Sequence, residues 1–267
     1  MYSKKLPLAG LPNTRDLGGF PTGSGLHIAP NKLIRSGMLF PATPEALARL
    51  VDEYRLRAIV DFRTEAEQRE RPDPALPGVT HISNPILESL TAGITHEEAG
   101  LTPLQNLTRS IHMSGMTATQ FMSGLYRSMI RDEFSQRQYA RFFDILSEER
   151  DGATLWHCTV GKDRVGVGTA MLLLALGASV EDAVDDYLAT QLYYQDVIER
   201  DAAEVERALN DPDAADTVRA LNGVCAEYIT TAFEEMRAEC GTVEGYLESR
   251  IGLTASKTAR LRALYLA

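Results

Sequence analysis

The stretch from Leu155 to Gly177, LWHCTVGKDRVGVGTAMLLLALG, constrains the fold more than any other part of the chain. It begins as a short apolar run, breaks into a loop holding one cysteine, and reopens as small and aliphatic residues over a span too long for a strand. That is strand–loop–helix, the unit from which parallel sheets are assembled. Cys158 stands at the turn rather than inside the apolar run, and Arg164 follows after five residues. Around Gly161, successive backbone N–H groups can converge on an anion. The helix that opens near Arg164 adds the partial positive charge of its N-terminus, a natural phosphate site. Arg164 can grip two phosphate oxygens at once, which a lysine cannot. Helix N-termini are also where thiols ionise most readily. The residues therefore read as a thiolate facing a bound phosphate, as in-line attack on phosphorus requires.

The rest of the chain fits an α/β architecture with a central, mostly parallel sheet flanked by helices. KLIRS (Lys32–Ser36), RAIVDF (Arg57–Phe62), the region of VTHISNPI and ATLWH read as strands. Thr43 with Pro44 opens one helix, and Thr64 with Glu67 forms the capping box of another that Pro72 stops. Helices are expected at roughly 118–131 and 135–149, and nearly everything from Val180 onward reads as helix. The first thirty residues, rich in Gly and Pro, read as loops or hairpin pieces. Two lid-like insertions are expected: an irregular loop over 88–117, and an acidic helical pair over 196–222. The reading is one domain across residues 1–267.

Composition excludes several classes. The 267 residues carry a formal net charge of −10, which argues against a general nucleic-acid binder but leaves room for a basic pocket that takes an anion. The most apolar run, Val165–Leu176, falls short of the ~20 residues a membrane helix needs, so no stable membrane insertion is expected. Three scattered cysteines do not make a disulfide framework, and the start of the chain has no signal-peptide pattern. A reducing cytoplasmic setting is expected, with secretion lacking a recognisable signal peptide left open. Gly161-Lys162 is not a phosphate-binding Walker loop, since Asp163 stands where Ser or Thr belongs. Nothing in the cysteine and histidine spacing suggests structural zinc.

His157-Cys158-Thr159-Val160-Gly161-Lys162-Asp163-Arg164 matches His-Cys-x2-Gly-x2-Arg at each fixed position, and so resembles the protein tyrosine phosphatase superfamily. The loop interior resembles the bacterial atypical tyrosine and lipid phosphatases with a Cys-x2-Gly-Lys-Asp-Arg loop, the group related to mycobacterial and listerial secreted phosphatases. NTRDLGGFPT near residue 13, LIRSGML near 33, VDFRTEAEQRERPDP from 60 and the tail GYLESRIGLTASKTARLRALYL resemble further segments of that group. The likeness runs from about residue 10 to the C-terminus and is weakest at 88–120 and 196–222.

The resemblance implies a protein tyrosine phosphatase-like fold and a cysteine-dependent phosphomonoester hydrolase working without metal or other cofactor. Cys158 would be the nucleophile, Arg164 the transition-state clamp, and Thr159, Val160, Gly161, Lys162 and Asp163 the rest of the phosphate cradle. Asp163 is one candidate general acid; Asp61, at the end of its strand, is the other, unless it pairs with Arg63 or Arg164 to fix the loop. Lys162 either adds charge for a phosphoinositide headgroup or is a solvated loop lysine. His157 is expected to support the loop. Arg15 and Asp16 either reach the pocket or close a turn around Gly18-Gly19. Val165 stands where the resemblance calls for Ser or Thr, which implies slow breakdown of a phosphocysteine intermediate. The substrate would be a protein carrying phosphotyrosine or phosphoserine/threonine, or a phosphoinositide. The alternatives are a phosphate-binding pseudophosphatase and a rhodanese-like sulfurtransferase.

Overall fold

The computed structural model describes residues 3–89 and 101–267. Its elements, in chain order, are β1 (Lys4–Lys5), β2 (Arg15–Asp16), β3 (Leu33–Ser36), α1 (Pro44–Asp52), β4 (Leu56–Asp61), α2 (Glu65–Glu70) and β5 (Thr80–Ser83). They continue with α3 (Pro103–Ser114), α4 (Ala118–Arg131), α5 (Glu133–Leu146), β6 (Ala153–His157), α6 (Asp163–Leu176) and α7 (Val180–Leu209). The chain ends with α8 (Pro212–Asn222), α9 (Ala226–Cys240), α10 (Val243–Ser249) and α11 (Ala255–Tyr265).

β6 lies at the centre of the sheet because every one of its side chains is buried, the condition of a strand covered on both faces. The strand order is β1-β2-β3-β6-β4-β5. β3, β6, β4 and β5 run parallel, and the two-residue strands β2 and β1 add antiparallel at one edge. Register aligns the carboxyl ends: Ser36 faces His157, which also faces Asp61, which faces Ser83. Sites in open α/β sheets form beyond this edge, and the Cys158 loop leaves from its middle.

Alternation along the strands divides the core. Ile34, Ile59 and Leu155 pack with Leu6, Leu8 and Leu50 on the α1 side. Leu33, Val60 and Trp156 face the larger core built with α4, α5, α6, α9, α10 and α11. α6 is buried almost all round, which marks it as the central helix. Its glycines allow close packing: a Cβ at Gly166 would lie 2.8 Å from the Tyr187 ring, and one at Gly168 would lie 3.2 Å from Phe62.

The irregular loop expected over 88–117 is corrected in part: Pro103–Ser114 is helix. Thr102 and Gln105 form a capping box, Pro103 occupies the first turn, and Gly115 ends the helix in the left-handed conformation. These are local start and stop signals that outweigh the Thr-, Ser- and Gly-rich composition. Residues 90–100 of that segment lie outside the described residues. The span 196–222 does fold as helices, within α7 and α8, with a small core of Ala202, Val205, Ala214, Ala215 and Val218 between them. Among the described residues no helix is long and apolar enough to cross a membrane.

Candidate active site

The loop between β6 and α6 is shaped from behind. Met38 N–H donates to the carbonyl of Thr159 at 3.1 Å, and Gly166 N–H donates to that of Lys162. The side-chain amide of Asn13 donates to the carbonyls of Val160 (3.0 Å) and Gly161 (3.1 Å). Arg35 Nη2 donates to the Gly161 carbonyl as well, at 2.8 Å. Four successive carbonyls are thus engaged by donors of the scaffold. Among the described residues the N–H groups of Thr159 through Arg164 donate to no protein acceptor. Such a run of unspent donors at a helix N-terminus is an anion nest. Gly161 is required here: its φ is +74°, and a Cβ would lie 2.3 Å from the Ser36 carbonyl oxygen.

Cys158 is buried at the start of this loop. Arg164, in the first turn of α6, donates from Nη1 to Glu67 Oε2 at 2.7 Å and from Nη2 to Glu67 Oε1 at 3.0 Å. Burial opposes the Arg164 charge, but the Cys158 sulfur and Glu67 more than offset it and hold its pKa above the ordinary value. Burial likewise raises Glu67, yet the bonds from Arg164, Thr159 and the Thr64 backbone win and bring it down to about 2. A guanidinium has five N–H groups. Glu67 takes the Nη1–Nη2 edge and Thr159 Oγ1 accepts from Nη2 as well, at 3.3 Å, so among the described residues Nε is the Arg164 donor that bonds no protein acceptor.

Asp163 is the other carboxylate of the loop. Its Oδ1 accepts from the Tyr126 hydroxyl at 2.8 Å, and Lys162 Nζ lies 3.3 Å from the same oxygen. Lys162 is not a solvated loop residue; it is 1% exposed. Its ammonium donates to the carbonyls of Leu221 and Gly223, where α8 ends. Its charge is therefore spent inside the protein, and what it leaves unspent at the loop is its backbone N–H.

Asp61 has both oxygens occupied by Arg63, whose Nη2 lies 2.7 Å from Oδ2 and whose Nε and backbone N–H each donate to Oδ1 at 2.9 Å. Arg63 also reaches Asp73 at 3.0 Å, and His157 Nε2 lies 2.8 Å from the other Asp73 oxygen. Asp61, Asp73 and His157 bring three metal-capable atoms within 4.8 Å of one another, but the guanidinium of Arg63 already pairs with both carboxylates. The donor set fits that arginine rather than a divalent ion. His157 and Arg63 thus brace the strand ends beneath the loop.

Arg15 does not reach the pocket. It is fully buried, donates to Asn13 Oδ1 and to the Asp186 carbonyl, and so acts on the loop through Asn13 and through Asp186, which also holds Arg35. Asp16 closes the turn, accepting from Gly18 N–H and Asn31 N–H at 3.0 Å each. The residues that sequence reasoning missed are Glu67, seen only as a helix cap, and Asn13, Arg35, Asp186, Tyr126 and Tyr187. Asn13 and Arg35 lie in the NTRDLGGFPT and LIRSGML segments, which gave no role for either side chain; no local pattern marks Asp186, Tyr126 or Tyr187, because each is brought to the loop by the fold. Beside the loop, a cavity of about 240 Å³ is lined by Met38, Pro41, Thr159, Val160, Tyr194 and Val197, among others.

A family model described as the tyrosine phosphatase family matches residues 6–267. The chain is similar to a Cupriavidus necator protein provisionally named a tyrosine-protein phosphatase, 29% identical over 258 residues, covering 96% of this chain and 86% of that one. A Nostoc commune tyrosine-protein phosphatase is 26% identical over 132 residues, 48% of this chain and 44% of its own. A Mycobacterium tuberculosis triple specificity protein phosphatase is 27% identical over 157 residues, 56% of each chain.

Proposed function

The chain belongs to the tyrosine phosphatase family, and from that premise we propose that it hydrolyses phosphomonoesters through a phosphocysteine formed on Cys158. The observation that carries this reading is the loop itself: outward-held carbonyls, unspent N–H groups and an arginine with its Nε unspent surround a single cysteine. Loop amides and Arg164 hold the non-bridging phosphoryl oxygens as charge builds on them. Cys158 Sγ attacks phosphorus, the phosphorus–oxygen ester bond breaks, and Asp163 gives its proton to the leaving oxygen. Asp163 then takes a proton from the water that attacks phosphorus, and the phosphorus–sulfur bond breaks to release phosphate and the thiolate. Asp163 is preferred to Asp61 as the acid because Arg63 already covers both oxygens of Asp61.

The proposed substrate is a phosphorylated protein, phosphotyrosine first. The names of the relatives support this, as does the largely apolar cavity beside Thr159 and Val160, which has Arg200 among its lining residues and suits an aromatic ester. The burial of Lys162 removes the extra cation that a phosphoinositide would call on. The three free thiols accord with a reducing cytoplasm, and the family match over residues 6–267 supports one phosphatase domain. Val165, fully buried in α6, offers no hydroxyl to the thiolate, so the phosphocysteine is expected to accumulate on rapid quench.

The test is phosphate release from a phosphotyrosine peptide and from a phosphoinositide in parallel, in EDTA, with wild type and Cys158→Ser. Release from the peptide that the substitution abolishes is the expected result. A folded wild type that binds the peptide without releasing phosphate overturns the proposal in favour of recognition without turnover.

A further inference from the structure

We infer that Tyr126 is a positioning residue for the acid step, and that Oδ2 of Asp163 is the oxygen that gives and takes the proton. The inference rests on the reading of Asp163 as the general acid. It comes from the direction of a hydrogen-bond chain. The Tyr126 hydroxyl donates to Asp163 Oδ1 at 2.8 Å, and the Tyr187 hydroxyl lies 2.7 Å from that of Tyr126. A phenol has one proton. With the Tyr126 proton committed to the carboxylate, Tyr187 must be the donor to Tyr126, and the order is Tyr187 to Tyr126 to Asp163. Burial and the nearby Asp163 charge push both phenols well above their ordinary pKa, so both keep their protons.

The ammonium of Lys162 lies against the same Oδ1. A proton placed on Oδ1 would confront both the phenol hydrogen and the ammonium, so the protonated acid carries its hydrogen on Oδ2. Among the described residues Oδ2 accepts no hydrogen bond, and the Asp163 side chain keeps 23% exposure. The supports of the chain are rigid. Tyr126 is fully buried in α4 and meets Tyr187 edge-on, with ring centroids 6.0 Å apart. Tyr187 in turn lies against Gly166 of α6, where a Cβ would collide with its ring. The same helix that begins with Asp163 therefore sets the position of the phenol that steers it.

A leaving group of high pKa needs the acid, whereas one of low pKa departs without it. Formation of the phosphocysteine is read by kcat/KM, which slow breakdown at Val165 does not mask. The experiment measures kcat/KM for phenyl phosphate and 4-nitrophenyl phosphate in wild type, Tyr126→Phe, Asp163→Asn and the double variant. Asp163→Asn is expected to depress phenyl phosphate about 100-fold, at the low end of general-acid effects, and 4-nitrophenyl phosphate far less. Tyr126→Phe is expected to depress phenyl phosphate about tenfold, with 4-nitrophenyl phosphate within about twofold of wild type, and to add little in the Asp163→Asn background. Equal losses on both esters in Tyr126→Phe, or no loss on either, overturn the inference while leaving the acid reading in place. An Asp163→Asn variant that treats the two esters alike overturns the acid reading, and the inference with it. Tyr187→Phe interrupts the chain one step further back and gives the same pattern, smaller, should Tyr126→Phe fail to fold.

Discussion

Two arginine–carboxylate clusters flank the phosphate loop, built from the same groups and doing opposite things. In front, Arg164 meets Glu67, with side chains 7% and 17% exposed. Behind, Arg15 and Arg35 share Asp186, with exposures of 0%, 0% and 1%. The front pair is balanced, one charge to one, and its guanidinium keeps Nε to offer. The rear cluster carries one more positive charge than negative in a dry interior. Burial and the neighbouring Arg35 pull Arg15 down to about 10, while the two arginines outweigh burial and hold Asp186 below the usual carboxylate range. On the proposed function, one cluster takes up the phosphate and the other fixes the loop that presents it. Exposure of a few per cent, rather than residue type, separates the two roles.

The largest effect expected from this contrast is at Asp186. Asp186→Asn leaves two buried guanidinium groups without a counter-charge, and breaking such a cluster costs about 3–5 kcal/mol. The midpoint of chemical unfolding should fall accordingly, with activity lost through unfolding rather than through the pocket. A variant that unfolds at the wild-type midpoint would show that the rear cluster is dispensable and sink the contrast. Arg164→Lys tests the other side. A lysine cannot keep Glu67 on one edge and phosphate on the other, so kcat/KM should drop about 10²–10³-fold, the scale for removing a preorganised donor. Its unfolding midpoint should move far less than that of Asp186→Asn. If stability falls as much as activity, the two clusters are both scaffold.

The same contrast explains what could be read from the sequence. The front of the site is contiguous: Cys158, Gly161, Asp163 and Arg164 lie within seven residues, so spacing alone exposes their chemistry. ATLWH, the strand that carries them, was legible from its apolar run, and β6 has those bounds. The rear is assembled from Asn13, Arg35 and Asp186, which only the β3–β6 pairing and the packing of α6 on α7 bring together. Glu67 stood in plain view as a cap because capping is local, but its grip on Arg164 depends on where α2 comes to rest. Tyr126 and Tyr187 are core aromatics; what no periodicity reveals is that their hydroxyls meet each other and the acid. The helix at Pro103–Ser114 is a different kind of miss, because its cap signals were present and composition was weighed above them.

The smallest effect is at Glu67, and it separates the clusters by pH. Its carboxyl is held at about 2 against an ordinary 4.5. A depressed folded value means the pair stabilises the protein fully above pH 4.5 and loses that contribution as pH falls toward 2. Glu67→Gln keeps one of the two Arg164 hydrogen bonds and removes the charge, so it should cost about 1–3 kcal/mol at pH 7. The gap between variant and wild type should then narrow as pH falls below about 5 in unfolding measured across that range. At neutral pH the Nε edge of Arg164 remains, so kcat/KM should fall only a few-fold, well short of Arg164→Lys. A gap that stays constant down to pH 2 would mean that Glu67 holds the loop as a neutral strut, and that the front cluster is as fixed as the rear.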